Sequence, residues 1–217
     1  MSFARAFELL SDLAANNTRE WYHANKGEFK GEVLQPFAQV LEEISASLSG
    51  TEIELSGGEH TMFRMNRDVR FSKDKSPYKT SVSGLLTPSG TKSEEAGLVY
   101  LCIDEAGGFV AGGFHNPDAA ALGKMRDRII GRPSQFAGLR KHLADHEIEI
   151  EQDGALKRMP RGFEDHADAD YADALRLKQF VVRKDLERSD WESGQVVERV
   201  VNFARAICPL IEFYQDI

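Results

Sequence analysis

Cysteine is nearly absent from this chain: 217 residues contain two, Cys102 and Cys208, far apart and each in apolar surroundings. That excludes a disulfide scaffold and a C-x-x-C redox or zinc pair, and it fits buried thiols in a reducing compartment. Long apolar runs are missing as well. None approaches the roughly 18 residues that a membrane span requires. The start, Met1 to Leu10, lacks a basic start followed by an apolar core and cleavage site, the pattern of a secretion signal, so the expectation is a soluble, cytoplasmic protein. Positive charge is in deficit, with 27 Lys and Arg against 35 Asp and Glu and a formal net charge of −8. Such a balance argues against a general nucleic-acid coat, which needs clustered cations over a wide footprint. The chain also has no Walker A loop, strand-to-helix G-x-G-x-x-G, G-x-S-x-G or H-E-x-x-H motif. No cofactor is expected.

Ordinary globular content fills the rest. Hydrophobic residues make up 41% and aromatics 9%, enough for one large domain, and 1–217 reads as that single domain. Phe3, Phe7, Leu10 and Leu13 follow helical spacing. Asn17 with Glu20 has the pattern of a capping box before a second helix carrying Trp21, Asn25 and Phe29. Pro36 opens or kinks a third, striped by Phe37, Val40, Leu41, Ile44 and Leu48. From about Thr51 the period changes to two. Phe63 to Phe71, Ser81 to Thr87, Leu98 to Ile103 and Phe109 to Phe114 read as strands. The last two are joined by a connection too short for a parallel crossover. Helices return after Asn116-Pro117, read as a cap with proline in the first turn, and after Pro133. Ile148 to Ile150 fits a short strand, and Ser189 with Glu192 a capping box before a final helix. The fold class is therefore α+β: an antiparallel meander in mid-chain, packed by N-terminal and C-terminal helices.

Unusual chemistry is concentrated between Arg64 and Lys79. Six cations (Arg64, Arg67, Arg70, Lys73, Lys75, Lys79) stand against Asp68 and Asp74, a local balance of +4 that leaves −12 for the rest of the chain. A basic island in an acidic protein suggests a local site for an anion. On a strand, Arg64, Asn66, Asp68 and Arg70 share one face, while Phe63, Met65, Val69 and Phe71 lie largely on the other. Two guanidiniums in a row can clamp a carboxylate or phosphate, and Ser72, Lys73 and Lys75 form a polar loop suited to cradling it. The plainer alternative is a salt-bridge network that fixes the loop. Gly112-Gly113 marks a close backbone approach, to a ligand or to another element. His115 then stands at the mouth of a helix. Lys157, Arg158 and Arg161 form a second, smaller basic cluster. His142 and His146 have i, i+4 spacing, but no third ligand is marked, so they read as a solvated helix face.

These residues give the chain a family likeness. Leu13-Ala-Ala-Asn16-Asn17-Thr-Arg19-Glu20-Trp21-Tyr22, Arg67-Asp68-Val-Arg70-Phe71-Ser72-Lys73-Asp74-Lys75-Ser-Pro77-Tyr78-Lys79, Gly112-Gly113 with Pro117, Lys157-Arg158 with Pro160-Arg161-Gly162, and Leu177-Lys178 with Phe180 carry it. Over nearly its whole length the chain resembles a family of conserved hypothetical proteins classed as a domain of unknown function (number twenty-four sixty-one). It departs from that pattern at Met159, where a second proline is usual, and at Phe163, where tyrosine is usual. The resemblance implies a single-domain soluble protein and places Arg19 and its neighbours beside the basic segment. It brings no activity or catalytic residue with it.

Three readings follow. The leading one is a pocket for a small phosphate- or carboxylate-bearing ligand, held by Arg64, Arg67, Arg70, Ser72, Lys73, Lys75 and Lys79 with Arg19 and Arg161. The second is an enzyme with Asp68 or Asp74 as base and Tyr78 or His115 as acid, the arginines stabilising a developing anion. In the third the basic segment docks an acidic partner or a nucleic-acid backbone.

Overall fold

In the computed structural model, residues 3–92 and 98–214 are described. Helix α1 (Ala4–Ala15) buries Phe7, Leu9, Leu10 and Leu13. Helix α2 (Arg19–Phe29) starts at Thr18, whose hydroxyl accepts the Trp21 N–H at 3.1 Å. The cap is thus Thr18 and not Asn17, whose side chain is used elsewhere. The helix continues through a wide π turn, Lys30–Leu34, into α3 (Gln35–Leu48). Pro36 accounts for the wide turn: it has no N–H for the carbonyl four residues back, and its ring crowds that carbonyl. Gln35 N–H reaches back instead to Lys30 O.

The sheet is a four-stranded antiparallel meander in chain order: β1 (Val82–Leu86), β2 (Leu98–Ile103), β3 (Phe109–Phe114) and β4 (Phe180–Asp185). Between β3 and β4 come α4 (Ala119–Gly131), α5 (Pro133–Asp145) and the single turn α6 (Ala172–Leu175). After β4 follow the short α7 (Arg188–Glu192) and α8 (Val196–Phe213). This is the α+β architecture that the periodicities predict. The α4 cap lies two residues later than expected, at Asp118, whose carboxylate accepts the Ala121 N–H at 2.7 Å. At α7 the cap is formed by Glu187 and Asp190, with Glu187 N–H donating to Asp190 Oδ2 at 2.9 Å, and not by Ser189 and Glu192.

Helices α3 and α8 cover one face of the sheet. Two glycines let them approach. A Cβ on Gly84 would come within 2.7 Å of Leu41 Cδ1, and one on Gly112 within 2.3 Å of Ile207 Cδ1. The close approach expected at Gly112 is therefore to another element, helix α8. A single buried cluster runs from Phe3 to Tyr214. Trp191 joins its ends, with ring centroids 5.1 Å from Phe3 and 6.0 Å from Phe37.

One predicted strand does not form. Beyond a bond from Phe63 N–H to Ser83 O at 2.8 Å, the backbone from Phe63 to Phe71 makes an isolated bridge, Asn66 to Tyr78, and no ladder, and Phe71 is 95% exposed instead of anchoring an apolar face. The cause is local competition. Asp68 accepts the Arg70 N–H at 3.2 Å and Asp74 the Ser76 N–H at 2.9 Å, bonds that curl the chain in place of a ladder.

Candidate functional site

The basic segment is an irregular hairpin projecting from the end of the sheet where β1 begins. At its base Arg67 N–H donates to Pro77 O at 2.9 Å and Lys79 N–H to Met65 O at 2.8 Å. Met65 and Tyr78 are the buried feet. Asn17 holds the base from α2's side, its amide donating to Tyr78 O at 2.9 Å and accepting from Tyr78 N–H at 3.1 Å. In doing so it pairs with one residue's backbone as a neighbouring strand would. The Tyr78 ring stacks on Tyr22 with centroids 4.0 Å apart, and burial followed by the neighbouring Tyr78 pushes the Tyr22 phenol up.

Above the base the hairpin is braced by its own charges. Arg67 pairs with Asp74 and donates to Ser76 O at 3.2 Å. The other Asp74 oxygen takes the Ser76 hydroxyl at 2.6 Å. Arg70 forks onto Asp68 at 2.7 to 3.2 Å, and Lys75 Nζ donates to Val69 O at 2.9 Å. Both carboxyls sit below the usual range. For Asp74 the Ser76 hydroxyl and amide come first and Arg67 follows; for Asp68 the Arg70 side chain comes first. Each aspartate is thus a proton-free structural anion with its oxygens engaged.

The exposed cations are Arg64, Arg70, Lys73 and Lys75. Arg64 and Lys73 form no contact ion pair among the described residues, although Arg64 is near enough to Asp68 to help lower its pKa. Between them Phe71 stands free of the core, with the Arg70 guanidinium 5.8 Å from its ring. Lys79 turns back to lie 5.2 Å over Phe63, the start of a row of aromatics on the sheet face opposite α3 and α8. Phe63 lies 6.1 Å from Tyr100, Tyr100 lies 5.6 Å from Phe109, and the Arg183 guanidinium sits 3.8 Å over Phe109.

Sequence-predicted residues divide accordingly. Arg64, Arg67, Arg70, Ser72, Lys73, Lys75 and Lys79 share the hairpin, and Arg19 opens the helix two residues after Asn17, which clamps it. His115 lies beyond the far end of β3, about a strand length (~20 Å) from the hairpin end of the sheet. Arg161 is exposed on the loop before α6. Tyr78 is buried and stacked, with its backbone engaged by Asn17. The His142 and His146 rings are 4.8 Å apart, and His142 Nε2 faces Ala206 O at 3.1 Å. No group of three metal-ligating side chains stands together among the described residues. Two shallow clefts lie elsewhere, about 220 Å³ beside Lys184 and Arg199 and about 240 Å³ beside Arg140 and Asp173. No described helix is long and apolar enough to cross a membrane.

Sequence reasoning missed what Asn17 does, because Asn-x-x-Glu before a helix has the pattern of a cap. The signal that separates the readings is the adjacent Thr18, also a competent cap and one residue closer to the helix. The model of the conserved hypothetical protein family DUF2461 matches residues 5–213, and the chain belongs to that family. No curated protein and no solved structure matches it.

Proposed function

We propose that this member of the family is a docking module whose hairpin, Arg64 to Lys79, holds an acidic segment of a partner protein. The observation that carries the reading is Phe71, 95% exposed and set between Arg70 and Lys73 on a loop braced by its own ion pairs. An isolated protruding aromatic flanked by arginine is the composition of an interface anchor. Bracing from within lowers the ordering cost of binding. An acidic polypeptide fits better than a nucleic-acid backbone. Four exposed cations make a small footprint, and the protein's net charge of −8 repels a long polyanion. A reducing, cytoplasmic setting accords with two free cysteines, one of them buried.

A second reading keeps the same cations and shrinks the ligand. Arg64 and Lys73, which form no contact ion pair among the described residues, hold the phosphate or carboxylate of a small molecule. Catalysis ranks last, because a general base works best with a pKa near the operating pH, and Arg70 on Asp68, and Ser76 with Arg67 on Asp74, hold both carboxyls below the usual range.

Fluorescein-labelled peptides alternating glutamate with leucine test the proposal by anisotropy. Binding should fall about 10- to 100-fold in Arg70→Glu with Lys73→Glu, and about 10-fold in Phe71→Ala. It should also weaken steeply with salt. Affinity that survives the charge reversal would remove the hairpin from the account. Loss with the charges but not with Phe71→Ala would favour the small-anion reading.

A further inference from the structure

Strand β4 carries a lysine where its pattern calls for an apolar residue. Gly112, which meets Ile207 of α8, pairs with Val182, so Val182 and Lys184 belong to the side of β4 that the helices cover. Val182 is fully buried there, but Lys184 is only half-buried. A lysine on a helix-covered face marks the place where the cover ends. Beside it lies the cleft of about 220 Å³, between the end of β4, α8 and the segment that follows α5.

Groups from all three elements meet at this cleft. Arg199, Asn202, Phe203 and Ala206 have the i, i+3, i+4, i+7 spacing of one helix face, and all four line it. Arg199 is fixed from behind. Its Nε lies 2.6 Å from Oδ1 of Asp190, which is only 3% exposed, and Asp190 Oδ2 accepts the Glu187 N–H at 2.9 Å. Both Asp190 oxygens are thus engaged, and Arg199 has no second partner among the described residues. The outer edge of its guanidinium is left for a ligand. Lys184 Nζ is steadied at the cleft by His146 O at 3.4 Å and by the exposed Glu147 carboxylate at 3.5 Å, a surface pair that a ligand displaces at little cost. Asn202 makes no hydrogen bond among the described residues. Asp185 also reaches the cleft, but Arg183 holds its Oδ1 at 2.8 and 3.0 Å. Val110, Ile148 and Phe203 give the cleft an apolar floor. The cleft of about 240 Å³ has no comparable set, since its Arg140 is paired with Asp173 and Glu149 adds another carboxylate.

We propose that the cleft beside Lys184 binds a small organic acid. Its carboxylate sits between Arg199 and Lys184 with Asn202 as a further donor, and its apolar body rests on Val110, Ile148 and Phe203. Two cations from different elements, one of them a planar fork, suit the paired oxygens of a carboxylate. Sites for drug-sized ligands run to roughly 300–1,000 Å³, so a cleft this small limits the apolar body to a few carbons. Strand β4 and strand β1, from which the hairpin projects, are opposite edges of the sheet. The site therefore stands whether or not the hairpin docks a partner.

The test is an NMR titration of the isotope-labelled full chain at constant ionic strength, with 3-methylbutanoate, 3-methylbutanamide and inorganic phosphate in separate arms. The carboxylate should shift the backbone amides of Ile148 and Lys184 and the side-chain amide of Asn202, saturating with a Kd on the order of millimolar. The neutral amide and phosphate should each bind at least about 10-fold more weakly, since one lacks the charge and the other the apolar body. Lys184→Met and Arg199→Met should each weaken the carboxylate about 10-fold or more, and Arg64→Ala with Lys73→Ala should leave it unchanged. Arg199→Met strips a buried aspartate of its partner, so if that variant does not fold, Lys184→Met with Asn202→Ala replaces it. No saturable shift at these residues, equal binding of the neutral amide or of phosphate, or carboxylate affinity unchanged in Lys184→Met would overturn the proposal.

Discussion

Asp74 shows how one side chain decides what its neighbours can do. By taking the Ser76 amide and hydroxyl on one oxygen and Arg67 on the other, it converts a run that reads as a strand into a closed loop. Alternation in the sequence could not show this, because aspartate's competition with the ladder depends on residues two and seven positions away. The same bonds set its titration. A carboxyl whose folded pKa is depressed contributes stability above its unfolded value of about 3.9, and that contribution is lost as pH falls through the folded value. The hairpin should therefore keep its order down through pH 4 and lose it only at stronger acid. The Asp74 carboxyl and Ser76 amide resonances, followed by NMR, should share a midpoint well below the ordinary aspartate range. A midpoint near 3.9 would mean the bonds are not formed in solution.

Elements meet at points the sequence marks poorly. The three strands with alternating or fully apolar patterns and the helices with apolar stripes are legible, because burial on one face imposes a period. The edge strand β4 escapes notice: Phe180 to Val182 are buried but Arg183 to Asp185 turn polar, so half of its pattern is missing. The join between α2 and the hairpin is equally hidden, since it rests on one asparagine meeting a backbone 61 residues away. Asn17→Ala would leave the Tyr78 N–H and C=O without partners in a part-buried site, at a cost of about 1–3 kcal/mol. Urea denaturation measures that loss. Asn17→Asp keeps the acceptor and loses the donor, so it should fall between. If both variants unfold at the wild-type midpoint, the clamp contributes nothing.

At the scale of the whole molecule, the C-terminal part locks the N-terminal helices in place. Trp191 is fully buried between Phe3 and Phe37, so α7 closes a core that begins at the third residue. The ring partners of Trp191 lie far from it in the chain, and no local pattern encodes them. Trp191→Ala should cost about 3–5 kcal/mol. Unfolding should remain one cooperative transition by calorimetry and circular dichroism, because the buried cluster is continuous. A loss under about 1 kcal/mol, or two separated transitions, would contradict a shared core. Charge is distributed on the same scale. An acidic body presents a basic hairpin at one end of its sheet, and that contrast is the physical basis for expecting an acidic partner there.

Replacing Phe71 with a photo-reactive phenylalanine analogue in the intact protein, inside cells that make it, tests that expectation most directly. Position 71 is 95% exposed, so the substituted protein should fold as the unsubstituted one does. Illumination should yield a discrete cross-linked species whose attachment maps to an acidic segment. The species should disappear when Arg70→Glu and Lys73→Glu are added, and should not form from the exposed control position Glu192. A cross-linking pattern identical at positions 71 and 192, or one indifferent to the charge reversal, would contradict the claim that this hairpin is where the protein meets its partner.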